Sequence, residues 1–151
     1  MPLRRWIPTV SIERIDPRIR RSEEAQCRTR HLANGELVDH GIVEVGTTEL
    51  GGYTVDFLTV KEPVDMSRML RGLPGDACHC PHWGVVNSGS MTVRYADGNE
   101  DTVAAGEAFY LPPGHVPTYE VGTQLTQFSP TEELKATEAA IMRNLQQLQA
   151  T

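Results

Sequence analysis

No stretch of this 151-residue chain stays apolar for long. None approaches the ~18–20 residues that cross a bilayer, so no membrane-spanning helix is expected. Positive charge is not in excess either. The formal net charge is −6, which argues against nucleic acid as a partner, because phosphate binding needs a basic surface. The arginines that are present crowd the start of the chain: Arg4, Arg5, Arg14, Arg18, Arg20, Arg21, Arg28 and Arg30. They read as a solvated edge or as one side of a subunit contact. Arg4-Arg5 resembles the opening of an export signal, but no apolar segment follows. Ile12-Glu13-Arg14-Ile15-Asp16 is charged throughout, so a cytoplasmic location is expected. Cysteine is scarce and odd in number, at three. Cys78 and Cys80 stand at i and i+2, near the upper Cα separation for a disulfide. Free thiols or metal ligands fit them better. Internal repeats, low-complexity segments and linkers are also missing. The hydrophobic share of 39% and charged share of 23% describe one ordinary domain, long enough to bury a core without covalent staples.

What is there reads as strands and tight turns. Residues 1–40 are expected to form an N-terminal arm, with a short strand from Ile7 to Ile15 and one helical turn or an ordered arm from Ile19 to Gly35. Residues 41–130 read as a barrel. Gly41 to Gly46 looks like a strand ended by glycine, and Tyr53 to Val60 alternates as a strand does. Ser67 to Leu70 is a loop or a further short strand. Strands follow over Ala77 to Val86, Met91 to Tyr95, Glu100 to Val103, Glu107 to Leu111, Val116 to Val121 and Gln124 to Phe128. Turn signals at Asn87-Ser88-Gly89-Ser90, Ala96-Asp97-Gly98, Ala105-Gly106 and Pro112-Pro113-Gly114 separate them. That spacing is the pattern of a sandwich or barrel. Residues 131–151 form a C-terminal helix. Thr131 is placed to cap it, and Leu134, Ile141, Leu145 and Leu148 form its apolar stripe.

Chemistry concentrates between Gly75 and His115. An extended segment from Asp76 to His82 puts Asp76, Cys78, Cys80 and His82 on one face and His79 on the other. His115 follows a rigid Pro-Pro-Gly turn and can aim into the same barrel mouth. Thiolate and imidazole suit Zn or Fe(II), with Ni or Cu favoured by affinity. Cys78, His82 and His115 are the expected metal ligands, and Asp76 or Cys80 a fourth. Trp83 is expected in core or barrel-lip packing. Of Phe109 and Tyr110, one belongs to the core and the other is covered by a helix, an arm or a neighbour.

These residues resemble a known family. Ala105-Gly106-Glu107-Ala108-Phe109-Tyr110-Leu111-Pro112-Pro113-Gly114-His115 is similar to the second cupin motif, G-x5-P-x-G followed by a histidine, through Gly106, Pro112 and Gly114. The segment ending at Val85-Val86-Asn87-Ser88-Gly89 resembles the first motif, H-x-H-x3,4-E-x6-G. Counting back from Gly89, the glutamate position falls on His82, the second histidine on Cys78 and the first on Asp76. The usual spacing of the second motif would place its histidine at Pro117. The variant with Cys-x3-His and Pro-Pro-Gly-His resembles a bacterial subgroup of small cupins. The resemblance implies an all-β fold, the cupin double-stranded β-helix or jelly-roll barrel, with a C-terminal α-helix added and a pocket in the barrel mouth. It also implies a homodimer.

Fold does not choose among the family's activities. Three readings stand. In the first, a divalent-metal centre acts on a small polar metabolite as an isomerase, lyase or oxygenase, with Tyr119, Glu120, Gln124 and Gln127 orienting substrate or relaying protons. In the second, a non-catalytic cupin binds or senses a small molecule. In the third, His82 or His115 works without metal as an acid or base.

Overall fold

The computed structural model describes residues 37–150. The expectations for Ile7 to Ile15, Ile19 to Gly35, His31 and the arginine run lie outside the described residues. Among the described residues, ten strands and one long helix make up the fold. The strands are β1 (Leu37–Asp39), β2 (Val43–Leu50), β3 (Tyr53–Val60), β4 (Val64–Asp65), β5 (His82–Ser88), β6 (Ser90–Tyr95), β7 (Glu100–Ala104), β8 (Ala108–Leu111), β9 (His115–Tyr119) and β10 (Gln124–Pro130). The helix α1 covers Thr131–Gln149. All pairings are antiparallel, in a six-stranded sheet ordered β1-β2-β3-β10-β5-β8 and a four-stranded sheet ordered β4-β9-β6-β7. This is the expected two-sheet jelly-roll barrel. Of the segment expected as an arm, residues 37–39 form the edge strand β1 against β2. None of the described helices is long and apolar enough to cross a membrane.

Alternation along the strands builds the core. Val60, Val86, Met91, Val93, Leu111, Tyr119 and Leu125 point inward and pack as one buried cluster. Each such aliphatic side chain contributes ~1.5–3 kcal/mol by leaving water. Gly84 marks a close approach within this layer. A Cβ there would meet the Thr126 carbonyl oxygen at 2.3 Å and the Phe109 ring at 2.5 Å, so only glycine lets Phe109 lie across β5.

Several elements depart from expectation. β2 runs through Gly46 to Leu50, because the ladder with β3 continues through Gly46↔Phe57 and outweighs glycine's weak strand preference. Met66–Arg68 is a 3-10 turn, held by Asp65 Oδ1 accepting from Ser67 N at 2.9 Å. The segment from Ala77 is not continuous strand. A second 3-10 turn covers Pro74–Asp76, and β5 starts only at His82. Thr131 is the first helical residue rather than the cap. Its N–H donates to Gly52 O at 3.0 Å, and its hydroxyl lies 3.0 Å from that of Thr54. On α1, Leu134, Thr137, Ala140 and Asn144 are buried, Ile141 and Leu145 are half-buried, and Leu148 is exposed.

Candidate metal centre

Two backbone devices bring the ligand candidates together. Cys78 and His115 form an isolated antiparallel bridge. Cys78 N donates to His115 O at 2.9 Å, and His115 N donates to Cys78 O at 3.2 Å. Residues directly opposite in such a pair send their side chains to the same face. The turn before His115 needs Gly114 at φ +94°, and Gly114 N donates to Cys78 O at 2.7 Å. His82 enters from the start of β5 and faces inward beside Ser129 of β10. Cys78, His82 and His115 are all buried, and their nearest ligand atoms lie within 4.8 Å of one another. Cys78 Sγ and His82 Nε2 are 3.3 Å apart. The two imidazoles meet edge to face, with ring centres 5.0 Å apart.

A hydrogen bond sets the tautomer of His115. A carbonyl only accepts, so His115 Nδ1 donates to Pro112 O, at 2.6 Å, and Nε2 keeps its lone pair. His82 Nδ1 lies 2.7 Å from Ser129 Oγ, which leaves Nε2 facing Cys78. Burial pushes His82 down to about 3, with His115 beside it adding to the shift. Burial also holds His115 below the usual histidine range, against the Pro112 hydrogen bond. Both rings are therefore neutral at neutral pH, the form that binds metal. The Cys78 thiol is raised by burial, against its hydrogen bonds with the Thr137 hydroxyl and the Cys80 backbone. A metal is what would draw off its proton. In a tetrahedral zinc site, sulfur and nitrogen ligands stand roughly 3.5 Å apart, and the Cys78–His82 separation of 3.3 Å fits that demand. The donor set suits a divalent transition ion.

The remaining candidates separate. Asp76 is exposed at φ 52° and accepts from Gly72 N at 2.9 Å, so the 3-10 turn carries it away from the centre. Cys80 is buried but lies outside the three-residue group, with Sγ directed at Pro81 O and Pro130 O. The chain leaves extended geometry after Cys78, which ends the i, i+2 alternation. Burial pushes the Cys80 thiol up to about 12. Tyr119 and Gln127 line the adjoining cavity; Glu120 and Gln124 are exposed and do not. His79 is exposed, with Nε2 2.8 Å from Pro74 O. Trp83 is not in the core: it faces outward at 41% exposure. Two contributors carry no sequence signal. Ser129 and Thr137 are an ordinary serine and threonine, and Thr137 Oγ1 reaches within 3.4 Å of Cys78 Sγ from α1.

The centre opens on a cavity of about 480 Å3 between the sheets and α1. Leu134, Ile141, Met142 and Leu145 of the helix form part of its wall. No family model matches the chain. No curated protein matches it either. Among solved structures, a RmlC-like cupin from Shewanella frigidimarina shares 17% identity at a TM-score of 0.50, covering 70% of this chain and 92% of that one. A protein of unknown function from Rhizobium leguminosarum bv. viciae shares 19% identity at a TM-score of 0.50, covering 69% of this chain and 96% of that one.

Proposed function

With the fold of the cupin superfamily as the frame, we propose that Cys78, His82 and His115 hold a divalent transition metal that acts on a small molecule bound in the adjoining cavity. One observation carries this reading. Three buried donors from separate segments converge at the wall of a single hollow, with the His115 tautomer set for coordination. Three protein ligands leave a coordination position for water or substrate. Zn or Fe(II) suits this set best, and Ni or Cu by affinity.

When bound, such an ion supplies Lewis-acid polarisation or an activated water or oxygen. The chain's own residues do the rest. The Pro112 carbonyl and the Ser129 hydroxyl fix the two imidazole rings. The Thr137 hydroxyl sits against the Cys78 sulfur and moderates its charge. Leu58, Val60 and Leu134 keep water from the walls. Tyr119 and Gln127 offer a phenol and an amide to a polar group of the substrate.

Elemental analysis of untagged protein tests the reading. The expected result is about one transition-metal ion per chain, lost in Cys78→Ser and His115→Ala but kept in His79→Ala, whose side chain is exposed. Protein without metal after growth and reconstitution, or metal that survives both ligand variants, overturns it.

A further inference from the structure

The cavity has a charge character that restricts what can enter. Its walls are largely aliphatic, with Leu58, Val64, Met69, Ile141 and Leu145 among them. Across this surface runs one polar row. Thr47, Asp56 and Gln127 stand directly opposite one another on β2, β3 and β10, so their side chains share the inward face. Thr47 Oγ1 donates to Asp56 Oδ1 at 2.7 Å and fixes that carboxyl. Glu138 of α1 adds a second carboxyl to the lining. Among the described residues, no lysine or arginine lines the cavity.

Charge placed in such a hollow needs a partner, because an unpaired buried charge is strongly unfavourable. Beside Asp56, a carboxylate or phosphate group would meet the Asp56 and Glu138 carboxyls, and the basic side chains of the described lining are imidazoles alone, His40, His82 and His115. A hydroxyl or ammonium group would donate to Asp56 and to the Gln127 amide oxygen, while an apolar body covered the aliphatic wall. The volume of about 480 Å3 lies within the ~300–1,000 Å3 of small-molecule sites and admits a body of ring size.

We propose that the ligand of this cavity has an apolar, ring-sized body and presents a neutral or cationic hydrogen-bond donor, read by Asp56 and Gln127. The proposal rests on the reading of the cavity as the substrate site. It narrows the small polar metabolite expected from sequence to a mainly apolar one, and it sets aside an anionic group beside Asp56. Burial already holds the Asp56 carboxyl above the usual carboxylate range, a cost that a bound cation would offset.

The test uses three probes of one shape: 2-naphthol, 2-naphthylmethylammonium and 2-naphthoate. Each is titrated calorimetrically into full-length Cys78→Ser protein and into chelator-treated wild type, so that no metal is present to attract the carboxylate. The expected result is binding of the alcohol and the ammonium about tenfold or more tighter than the carboxylate. Asp56→Asn should bring the ammonium down to the level of the alcohol and leave the alcohol within a few-fold. Equal or tighter binding of 2-naphthoate overturns the proposal, and so does absence of binding by all three. Because the titrations are metal-free, they stand or fall apart from the elemental analysis.

Discussion

Asp56 shows how one residue couples site and stability. Its carboxyl faces the cavity, and burial raises it above its ordinary value, with the Thr47 hydrogen bond opposing. Below the unfolded value of 3.8 the group is protonated in both states and costs nothing. As pH rises from there to the raised folded value, the unfolded chain gives up its proton first, so stability falls across that window. Above it the loss is constant. Asp56→Asn keeps the acceptor for Thr47 and cannot ionise. Its stability relative to wild type should therefore be near its lowest at about pH 3.5 and climb to a plateau towards neutrality, read from urea unfolding at stepped pH. A difference that stays flat with pH would remove Asp56 from the buried groups. The centre itself was partly legible in the same residue-by-residue terms. Cysteine and histidine announce ligand chemistry, so Cys78, His82 and His115 could be named from sequence. Ser129 and Thr137 could not, since a serine on β10 and a threonine on α1 gain meaning only when the fold sets them against His82 and Cys78.

Between elements, α1 is fastened to the barrel by a polar clamp on its buried side. Asn144 Nδ2 donates to Met69 O at 2.7 Å and to Arg71 O at 3.0 Å, and Arg143 donates to the same Arg71 carbonyl at 3.2 Å. Removing the amide leaves a buried carbonyl unpaired, which costs ~1–3 kcal/mol. Asn144→Ala should lower unfolding stability by that amount in urea, while Arg143→Ala, at an exposed site, should cost less than about 1 kcal/mol. Equal effects of the two would place the clamp elsewhere. The same region shows why the elements were unevenly legible. From His82 to Pro130 each turn carries glycine, proline or asparagine at the required place, and the strands appear within a few residues of where the alternation puts them. The Asp76–His82 segment misleads because alternating polar and small residues look like strand, whereas Pro74-Gly75-Asp76 closes a 3-10 turn and only the Cys78–His115 bridge is paired before β5. The helix stripe was read from leucines and isoleucine. Asn144 went unseen because a buried amide is recognisable only by the carbonyls it satisfies.

For the molecule as a whole, the outer face of the larger sheet carries exposed aromatic side chains. Phe128, Trp83 and Tyr110 stand directly opposite one another on β10, β5 and β8, with exposures of 42%, 41% and 53%. Trp83 stacks obliquely on Tyr110 at 5.2 Å and meets Tyr53 edge to face at 6.3 Å. Val85 extends the row at 40% exposure. Single exposed apolar residues are ordinary, but a contiguous aromatic row marks an interface. None of these residues is charged, while the chain carries a formal net charge of −6. Two copies repel each other over most of their surface and can approach most easily where charge is absent. An uncharged row of rings can also pack on its own two-fold copy, as an isologous interface requires. We propose the homodimer expected from sequence for this face. Sedimentation equilibrium at micromolar concentration should give twice the chain mass for wild type. Trp83→Glu and Tyr110→Glu should each shift it to monomer, with an unchanged far-ultraviolet dichroism spectrum confirming that the barrel survives. A wild-type monomer at that concentration, or a dimer indifferent to both substitutions, would assign the interface to another surface.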